Sequence, residues 1–336
     1  ARSVRRWGAM TGAAGQRSAQ QRGGEEAADA RGADSSGSPG VANAVDADVR
    51  RAMLRFMMLA RGVDDEAVRL QNQGVVDLWL SCRGQEAAQV ASALAVGDEA
   101  VIFPSYREHA VAVVRGIDAT SLVAQWAGRT FCGWNPRRYR FFPYTLVVAA
   151  QTLHAVGYAI GQQVRNVAET VVVYIGDGAT SQGDVSEAMN LAAVESARVL
   201  FVCQNNGWAI SKPSHEQMLT TVAARAEGFG IRSWSVVADD PDSTYLHCLA
   251  ARRHVDTTGS PGLIELQTTR AAGHSSSDPH TVYRDPEELV TATSNDPVTR
   301  YRDELRRAGV IDDAWLDGVD AEIGRTNRRL IEEFGR

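Results

Sequence analysis

The chain has 336 residues, 44 % of them hydrophobic, which is enough for one large or two modest domains with a substantial core. Its net charge of -6 argues against general nucleic-acid binding, and no apolar run reaches the length of a membrane-spanning helix. Its four cysteines, at positions 82, 132, 203 and 248, show no paired spacing. They indicate buried free thiols in a reducing compartment rather than disulfides or a zinc site.

Residues 1–45 differ from the rest of the chain. They are rich in Ala, Gly, Ser, Gln and Arg, so we expect a disordered low-complexity extension, followed by one domain over residues 46–336. The first 24 residues contain five arginines and no acidic residue, which superficially fits an organellar transit peptide. Because the apolar face is poor, we favour a flexible extension and a cytoplasmic protein. The mitochondrial matrix is the alternative if this stretch is a transit peptide.

Helical spacing begins at Val45. The methionines Met53, Met57 and Met58 lie on an apolar face that predicts core or subunit-interface packing. Residues 84–96 predict a second helix of small residues. A third helix, running to about residue 115, follows a Tyr106–Arg107 pair, and such a pair at a helix start can hold an anion.

The next segments are aromatic and then apolar. Residues 116–143 carry aromatic and arginine side chains that either line a substrate tunnel or pack at an interface. Residues 145–161 predict a loop that leads into a buried helix, within which His154 is interpreted as a core histidine.

The stretch from Val171 to Ser211 organises the chain. Residues 171–175 predict a buried strand, Gly176-Asp177-Gly178 breaks it, and a helix and a second strand over residues 199–203 follow. Ligands of such strand–helix–strand units lie at the carboxyl ends of the strands, where Asp177 and the Asn205-Asn206 pair fall. A carboxylate and an amide oxygen there suit Mg²⁺, which completes its shell with phosphate oxygens and water. Either motif alone is a common turn, and only their combination favours a functional site.

The remaining sequence predicts further alternation of helices and strands. Helices are predicted near residues 220–229 and 243–254, and strands over 233–237 and 262–267. A loop rich in Gly, Ser and His follows at residues 271–280, and its polarity indicates a mobile active-site loop. Residues 296–336 predict a pair of charged helices. The fold class is therefore α/β, a mostly parallel sheet flanked by helices with N-terminal and C-terminal helical extensions.

Three segments carry a family resemblance. GDGATSQGD at residue 176, EAMNLAA at residue 187 and QNNGWAIS at residue 204 resemble the α subunits of 2-oxo acid dehydrogenase E1 components, which use thiamine diphosphate. The resemblance covers about residues 48–325 and implies the thiamine-diphosphate-binding fold. It implies that Mg²⁺ is bound by the side chains of Asp177 and Asn206 and by the backbone carbonyl of Trp208.

The resemblance also implies the residues that contact the cofactor. They are Tyr106, Arg107, Val148, Gly176, Gly178, Ala179, Gln204 and His274, of which His274 is the catalytic residue. Gln204 stands where some relatives have Arg, so it supplies no charge to the diphosphate. Leu146 and Ala150 depart from members that hold a structural cation, so we predict no such site. Ser275 matches a serine that is phosphorylated in mitochondrial relatives.

The implied activity is decarboxylation of a 2-oxo acid and transfer of its acyl group to a lipoyl-bearing E2. The residues of these motifs favour an enzyme for branched-chain 2-oxo acids. The alternatives are a pyruvate or acetoin dehydrogenase α subunit and a non-catalytic paralogue. Only the diphosphate-binding half of a thiamine enzyme is visible in the sequence. We therefore expect an obligate E1 β subunit in an α2β2 heterotetramer, which supplies the glutamate that activates the cofactor.

Overall fold

The structure is a computed structural model that describes residues 45–335. The predicted disordered extension and the transit-peptide alternative concern residues 1–45 and so, apart from Val45, lie outside the described residues. Within residues 45–335, no helix is long and apolar enough to cross a membrane.

A five-stranded parallel sheet forms the centre of the fold. Its strands are β1 (Val101–Phe103), β2 (Val171–Gly176), β3 (Val199–Asn205), β6 (Arg232–Val237) and β7 (Gly262–Gln267). Their order in the sheet is β1-β2-β3-β7-β6, and every pairing is parallel. Two short strands, β4 (Trp208–Ala209) and β5 (Lys212–Pro213), pair antiparallel just past the end of β3.

Helices cover both faces of the sheet, so its central strands are mostly apolar. One face packs on α6 (Ala150–Val164), α7 (Gly183–Val194) and α8 (Val222–Gly228). The other packs mainly on α2 (Glu86–Val96), α4 (Ala119–Trp126) and α9 (Pro241–Thr258). Alternate residues of β2 serve the two faces, since Val173 joins the first layer and Tyr174 the second.

The helical extensions pack against each other. The N-terminal helix α1 (Ala47–Asn72) contacts α11 (Pro297–Arg307) and α12 (Asp313–Phe334). Met53 and Met57 are fully buried with Tyr301 and Leu305, as the core interpretation of the methionines predicts. The remaining helices are short: α3 (His109–Val114), α5 (Pro136–Tyr139) and α10 (Pro286–Ser294).

The predicted α/β class with a mostly parallel sheet is confirmed, and the strand predicted at 262–267 is found at those residues. Three-residue β1, the short β4–β5 pair and the helices α4, α5 and α10 were not predicted. The signal for α10 was present in the sequence, since Asp285 accepts the amide of Glu287 as the N-cap and Pro286 opens the helix. Three of the four cysteines are buried free thiols, and Cys132 is half-buried.

The interpretation of His154 as a core histidine is wrong. Its side chain is exposed, because α6 buries only the stripe that contains Gln151, Ala155 and Ala159. Small apolar residues surround His154 in sequence, but they lie on the opposite side of the helix. Neither alternative for residues 116–143 describes the buried aromatics of that segment, since Trp134 and Phe141 pack with Tyr144 in the core.

Candidate active site

A cavity of about 410 Å³ lies at the carboxyl ends of β1, β2 and β3. All eleven residues predicted to bind cofactor or metal line it, although they come from five separate segments of the chain. They are Tyr106, Arg107, Val148, Gly176, Asp177, Gly178, Ala179, Gln204, Asn206, Trp208 and His274. The parallel sheet brings them together because its strands all end at one edge.

Asp177 occupies the first position after β2 and is 1 % exposed. Its Oδ1 accepts the backbone N–H of Asn206 at 3.3 Å, and its Oδ2 accepts a hydrogen bond from the Ser214 hydroxyl. Burial raises the pKa of the Asp177 carboxyl, and the Ser214 hydroxyl opposes the rise. Among residues 45–335 no cationic side chain forms an ion pair with Asp177, so a buried carboxylate faces the cavity without a compensating charge.

The turn after β3 places Asn206 beside Asp177. Gly207 has a φ of +79°, a left-handed conformation that favours glycine, and the Asn206 Oδ1 accepts the backbone N–H of Trp208 at 3.2 Å. Gly178 has a different reason to lack a side chain. A Cβ there would lie 2.7 Å from the Cβ of Ala209, so only glycine lets the turn after β2 approach β4.

Tyr106 and Arg107 lie in the turn between β1 and α3. The Arg107 guanidinium donates to the Ser81 carbonyl at 2.7 Å and to the His274 carbonyl at 2.9 Å. It is 6 % exposed, yet it lines the cavity, which suits it to hold an anion there.

His274 lies opposite, in the loop after β7, and its Nδ1 is 3.3 Å from an Arg107 nitrogen. Burial and the charges of Arg107 and Arg270 lower the pKa of His274 to about 4, so the ring is neutral at neutral pH. Its backbone N–H donates to Asp278 at 2.6 Å, and Tyr283 donates to the same carboxylate. The loop is therefore ordered around its predicted catalytic residue in the structure.

Three residues in or beside the cavity wall, of which Gln85 and Arg270 line the cavity, were not singled out by sequence reasoning. Gln85 accepts the Asn206 amide at 3.3 Å, Ser214 donates to Asp177, and Arg270 donates to the Ile210 carbonyl at 3.0 Å. No local pattern marked them, because each follows or precedes a motif and acquires its contact only in the folded chain.

Three buried polar atoms of the cavity wall have no hydrogen-bond partner within the described chain. They are the Gln85 Nε2, the Gln151 Oε1 and the Arg270 Nε. Unpartnered buried polar atoms are costly and rare, so their concentration in one cavity fits a bound polar ligand that satisfies them.

The charges of the wall balance each other. Arg107 and Arg270 are offset by Asp177 and Glu108, and His274 is neutral. A diphosphate in such a cavity needs a further positive charge, and the Asp177 carboxylate with the Asn206 amide oxygen supplies oxygen ligands for a divalent cation. The donor set therefore fits a metal-bound diphosphate. Within residues 45–335 no group of three or more His, Cys, Asp or Glu side chains is arranged so that it could hold a metal ion.

Glu108 and His109, which follow the Tyr106–Arg107 pair, are both buried. His109 stacks on Trp79 at 4.1 Å between ring centroids, and its Nε2 donates to the Leu80 carbonyl at 3.1 Å. The Nδ1 then accepts from Tyr144 at 3.1 Å. Burial lowers the pKa of His109 to about 3, so this ring stays neutral in the core.

Comparison with known proteins places the chain in a class. The family described as "Dehydrogenase E1 component" matches residues 54–332, and the chain belongs to this family. Thiamine diphosphate is the cofactor of the family. The predicted class, an α subunit of a 2-oxo acid dehydrogenase E1 component, is confirmed.

The chain is also similar in sequence to individual members of this family. The 3-methyl-2-oxobutanoate dehydrogenase subunit alpha of Mycobacterium tuberculosis is 37 % identical over 285 residues, which cover 84 % of this chain and 77 % of that protein. The 2-oxoisovalerate dehydrogenase subunit alpha of Bacillus subtilis is 33 % identical over 273 residues, covering 78 % and 83 %. The pyruvate dehydrogenase E1 component subunit alpha of Bacillus cereus is 31 % identical over 278 residues, covering 82 % and 74 %. The roles of individual residues as ligands stay predictions.

Proposed function

We propose that the chain decarboxylates a branched-chain 2-oxo acid with thiamine diphosphate and Mg²⁺, as the α subunit of an E1 component. One observation carries the proposal: eleven residues predicted from sequence motifs line a single cavity in a chain of this family. When bound, thiamine diphosphate supplies the electron sink for decarboxylation. The protein supplies binding, orientation and a shielded environment.

The proposed roles follow from the chemistry of each side chain. Asp177 and Asn206 hold Mg²⁺ together with the Trp208 carbonyl, and Tyr106 and Arg107 bind the diphosphate. The turn at Gly176, Gly178 and Ala179 would bring the backbone close to the phosphates, and the apolar side chain of Val148, which also lines the cavity, would support the cofactor. Neutral His274 presents a ring nitrogen to the cofactor or the reaction intermediate.

The substrate proposal rests on the relatives and on the apolar part of the cavity. Two of the relatives described above carry the names of branched-chain enzymes. Leu78, Leu80, Leu146 and Ile210 line the cavity beside the polar groups, which suits an aliphatic side chain on the substrate. Pyruvate is the second candidate, favoured by the likeness to the Bacillus cereus protein.

The proposed assembly includes an E1 β subunit in an α2β2 heterotetramer and a lipoyl-bearing E2. Leu146 and Val147, on the loop that borders the cavity, are 60 % and 68 % exposed. Apolar residues at a cavity mouth are suited to contact with a second chain. The cytoplasmic location expected from the sequence stays a prediction.

Calorimetric titration of thiamine diphosphate into the chain co-expressed with its β subunit tests the proposal. We expect binding that requires Mg²⁺ and is lost in Asp177→Ala. Asp242→Asn, outside the cavity, serves as the matched control and keeps binding. Turnover of 3-methyl-2-oxobutanoate above that of pyruvate supports the branched-chain substrate. A folded complex that binds no cofactor overturns the proposal and favours the non-catalytic paralogue.

A further inference from the structure

A buried chain of three polar side chains runs along the cavity wall, and two of its members, Glu108 and Gln204, line the cavity. Gln89 of α2, Gln204 at the end of β3 and Glu108 before α3 are 0 %, 3 % and 1 % exposed. We call these three residues the amide–carboxylate relay. Buried polar groups of this kind are tolerated only where their hydrogen bonds are made, so their partners define what the relay does.

Backbone groups determine the orientation of both amides. The backbone N–H of Ala110 donates to the Gln89 Oε1 at 3.1 Å, so the Gln89 Nε2 points the other way. It donates to the Arg107 carbonyl at 3.0 Å and to the Gln204 Oε1 at 2.9 Å. The Gln204 Nε2 then donates to the Glu108 Oε1 at 2.6 Å.

The other end of the relay also meets backbone donors. The Glu108 Oε2 accepts the N–H of Ser105 at 2.7 Å and the N–H of Arg107 at 3.3 Å. The relay therefore accepts hydrogen bonds from backbone N–H groups at both of its ends. One member has to accept from both sides, and only a carboxylate can do so. A third amide at position 108 leaves two donors facing each other.

The relay forms hydrogen bonds with the backbone of the turn between β1 and α3. It binds the backbone of Ser105 and both backbone groups of Arg107, in a segment without regular secondary structure. Gln204 lies two residues before Asn206 on the same strand end. The relay thus connects the turn that carries Tyr106 and Arg107 to the strand that leads to the proposed metal ligand.

We propose that Gln89, Gln204 and Glu108 are positioning residues, which set the distance between the Tyr106–Arg107 turn and the metal-binding end of the sheet. This inference rests on the proposed function for its effect on cofactor binding. Gln204 acts mainly through Glu108, since its oxygen and its amide group are both engaged by the relay. The effect on order in the turn does not depend on the cofactor.

Exchanging the two ends of the central hydrogen bond tests the relay. Glu108→Gln creates a donor–donor contact, and Gln204→Glu places two carboxylates in contact. The double variant E108Q/Q204E restores complementarity, because Gln89 and the new amide at position 108 both donate to the new carboxylate at position 204. The new amide oxygen at position 108 still accepts from Ser105.

Two measurements are made on the complex with the β subunit. Without cofactor, hydrogen exchange of the peptide that contains Ser105 and Arg107 accelerates about tenfold in each single variant and returns close to wild type in the double variant. The Kd for thiamine diphosphate with Mg²⁺ rises about tenfold in the single variants and falls back towards the wild-type value in the double variant, in which a carboxylate stands at the cavity-lining position 204.

A glutamine–glutamate pair elsewhere provides the matched control. The Gln162 Nε2 donates to Glu169 at 2.6 Å beyond the amino end of β2, away from the cavity. The variant Q162E/E169Q is expected to leave the exchange of the turn and the cofactor Kd unchanged.

Each outcome decides one of the two proposals. Single variants that behave like wild type, or a double variant as impaired as the single ones, overturn the relay. If Glu108→Gln alone prevents folding, recovery of the fold and of binding in the double variant supports the relay, and its failure contradicts it. If the wild-type complex binds no cofactor, the proposed function fails while the exchange measurements still decide the relay.

Discussion

Two groups of charged residues in this molecule differ in whether their members have ion-pair and hydrogen-bond partners. At the junction of α1, α2 and α11, Arg61 pairs with Glu86 at 2.5 Å and with Asp296 at 2.8 Å. The second oxygen of Glu86 accepts the N–H of Gly84 at 2.7 Å, so every group in this junction has a partner. Burial raises the pKa of the Glu86 carboxyl, and Arg61 opposes the rise.

The cavity wall is different. Its Asp177 carboxylate has no cationic partner among the described residues, and Arg270 and Gln85 each present a buried donor without an acceptor. The comparison teaches that burial of charge alone does not mark a functional site. A junction with complete hydrogen bonding contributes to stability, whereas a wall with unpartnered groups is arranged for something that enters the cavity.

The largest effect that separates the two regions is expected from Asp177→Asn. The amide keeps the shape of the side chain but removes the charge that faces the proposed metal. We expect the Kd for thiamine diphosphate with Mg²⁺ to rise about 100-fold or more. The unfolding transition of the cofactor-free complex should be unchanged or higher, because a buried uncompensated charge is lost. An unchanged Kd in calorimetry would remove Asp177 from the metal site.

At the junction of α1, α2 and α11 we expect the converse, a loss of stability without a loss of cofactor affinity. Arg61→Met leaves Glu86 buried without its cationic partner, which should lower the free energy of unfolding by about 3 kcal/mol. Denaturant unfolding of the complex measures this loss, and Arg61→Met with Glu86→Gln should recover much of it. Cofactor affinity should stay within about threefold of wild type. A parallel loss of affinity would show that the junction and the cavity are coupled.

Acid should destabilise the core through His109. Its pKa is about 3 in the folded chain and about 6.5 when unfolded, so the unfolded state binds the proton first. The stabilising contribution is complete above about pH 6.5 and is lost as the pH falls from there towards 3. At pH 5 the loss is about 2 kcal/mol. His109→Phe keeps the stacking on Trp79 and should reduce the slope of stability against pH, and equal slopes would contradict the assignment.

The smallest effect is expected at the turn after β2. Gly178→Ala places a methyl group against the Ala209 Cβ, and overpacking of this kind costs about 1 kcal/mol or somewhat more. Because β4 carries Trp208, the same change should weaken Mg²⁺-dependent binding a few-fold in calorimetry. Gly178→Ala combined with Ala209→Gly removes the contact between the two Cβ atoms, leaves the Cα of residue 209 at 3.1 Å from the new methyl group, and should restore part of the affinity. If the double variant binds the cofactor as weakly as Gly178→Ala alone, the contact with the Ala209 Cβ is not the reason for glycine at position 178.

The sequence by itself determined the sheet and the location of the site. The buried strands at 171–175 and 199–203 are continuous apolar runs between turn signals, and such runs indicate a buried parallel sheet. The strand at 262–267 is less uniform, because it contains the buried Glu265. The motifs at Asp177 and Asn206 follow those strands directly, so their meeting at one edge could be derived from strand direction alone. The family resemblance added residues on more distant loops.

Only the tertiary structure decided the partners of each polar group. His154 is exposed because only one side of α6 packs against the rest of the domain. The sequence of α6 does not show that His154 lies on the other side. Gln204 lines the cavity, as predicted for a cofactor contact, and its amide also contacts Glu108 and Gln89, which are 96 and 115 residues away in the chain. Periodicity reports which face of an element is apolar, because that depends on local spacing. Hydrogen bonds between distant segments depend on how loops and strand ends meet after folding, and no local pattern contains that information.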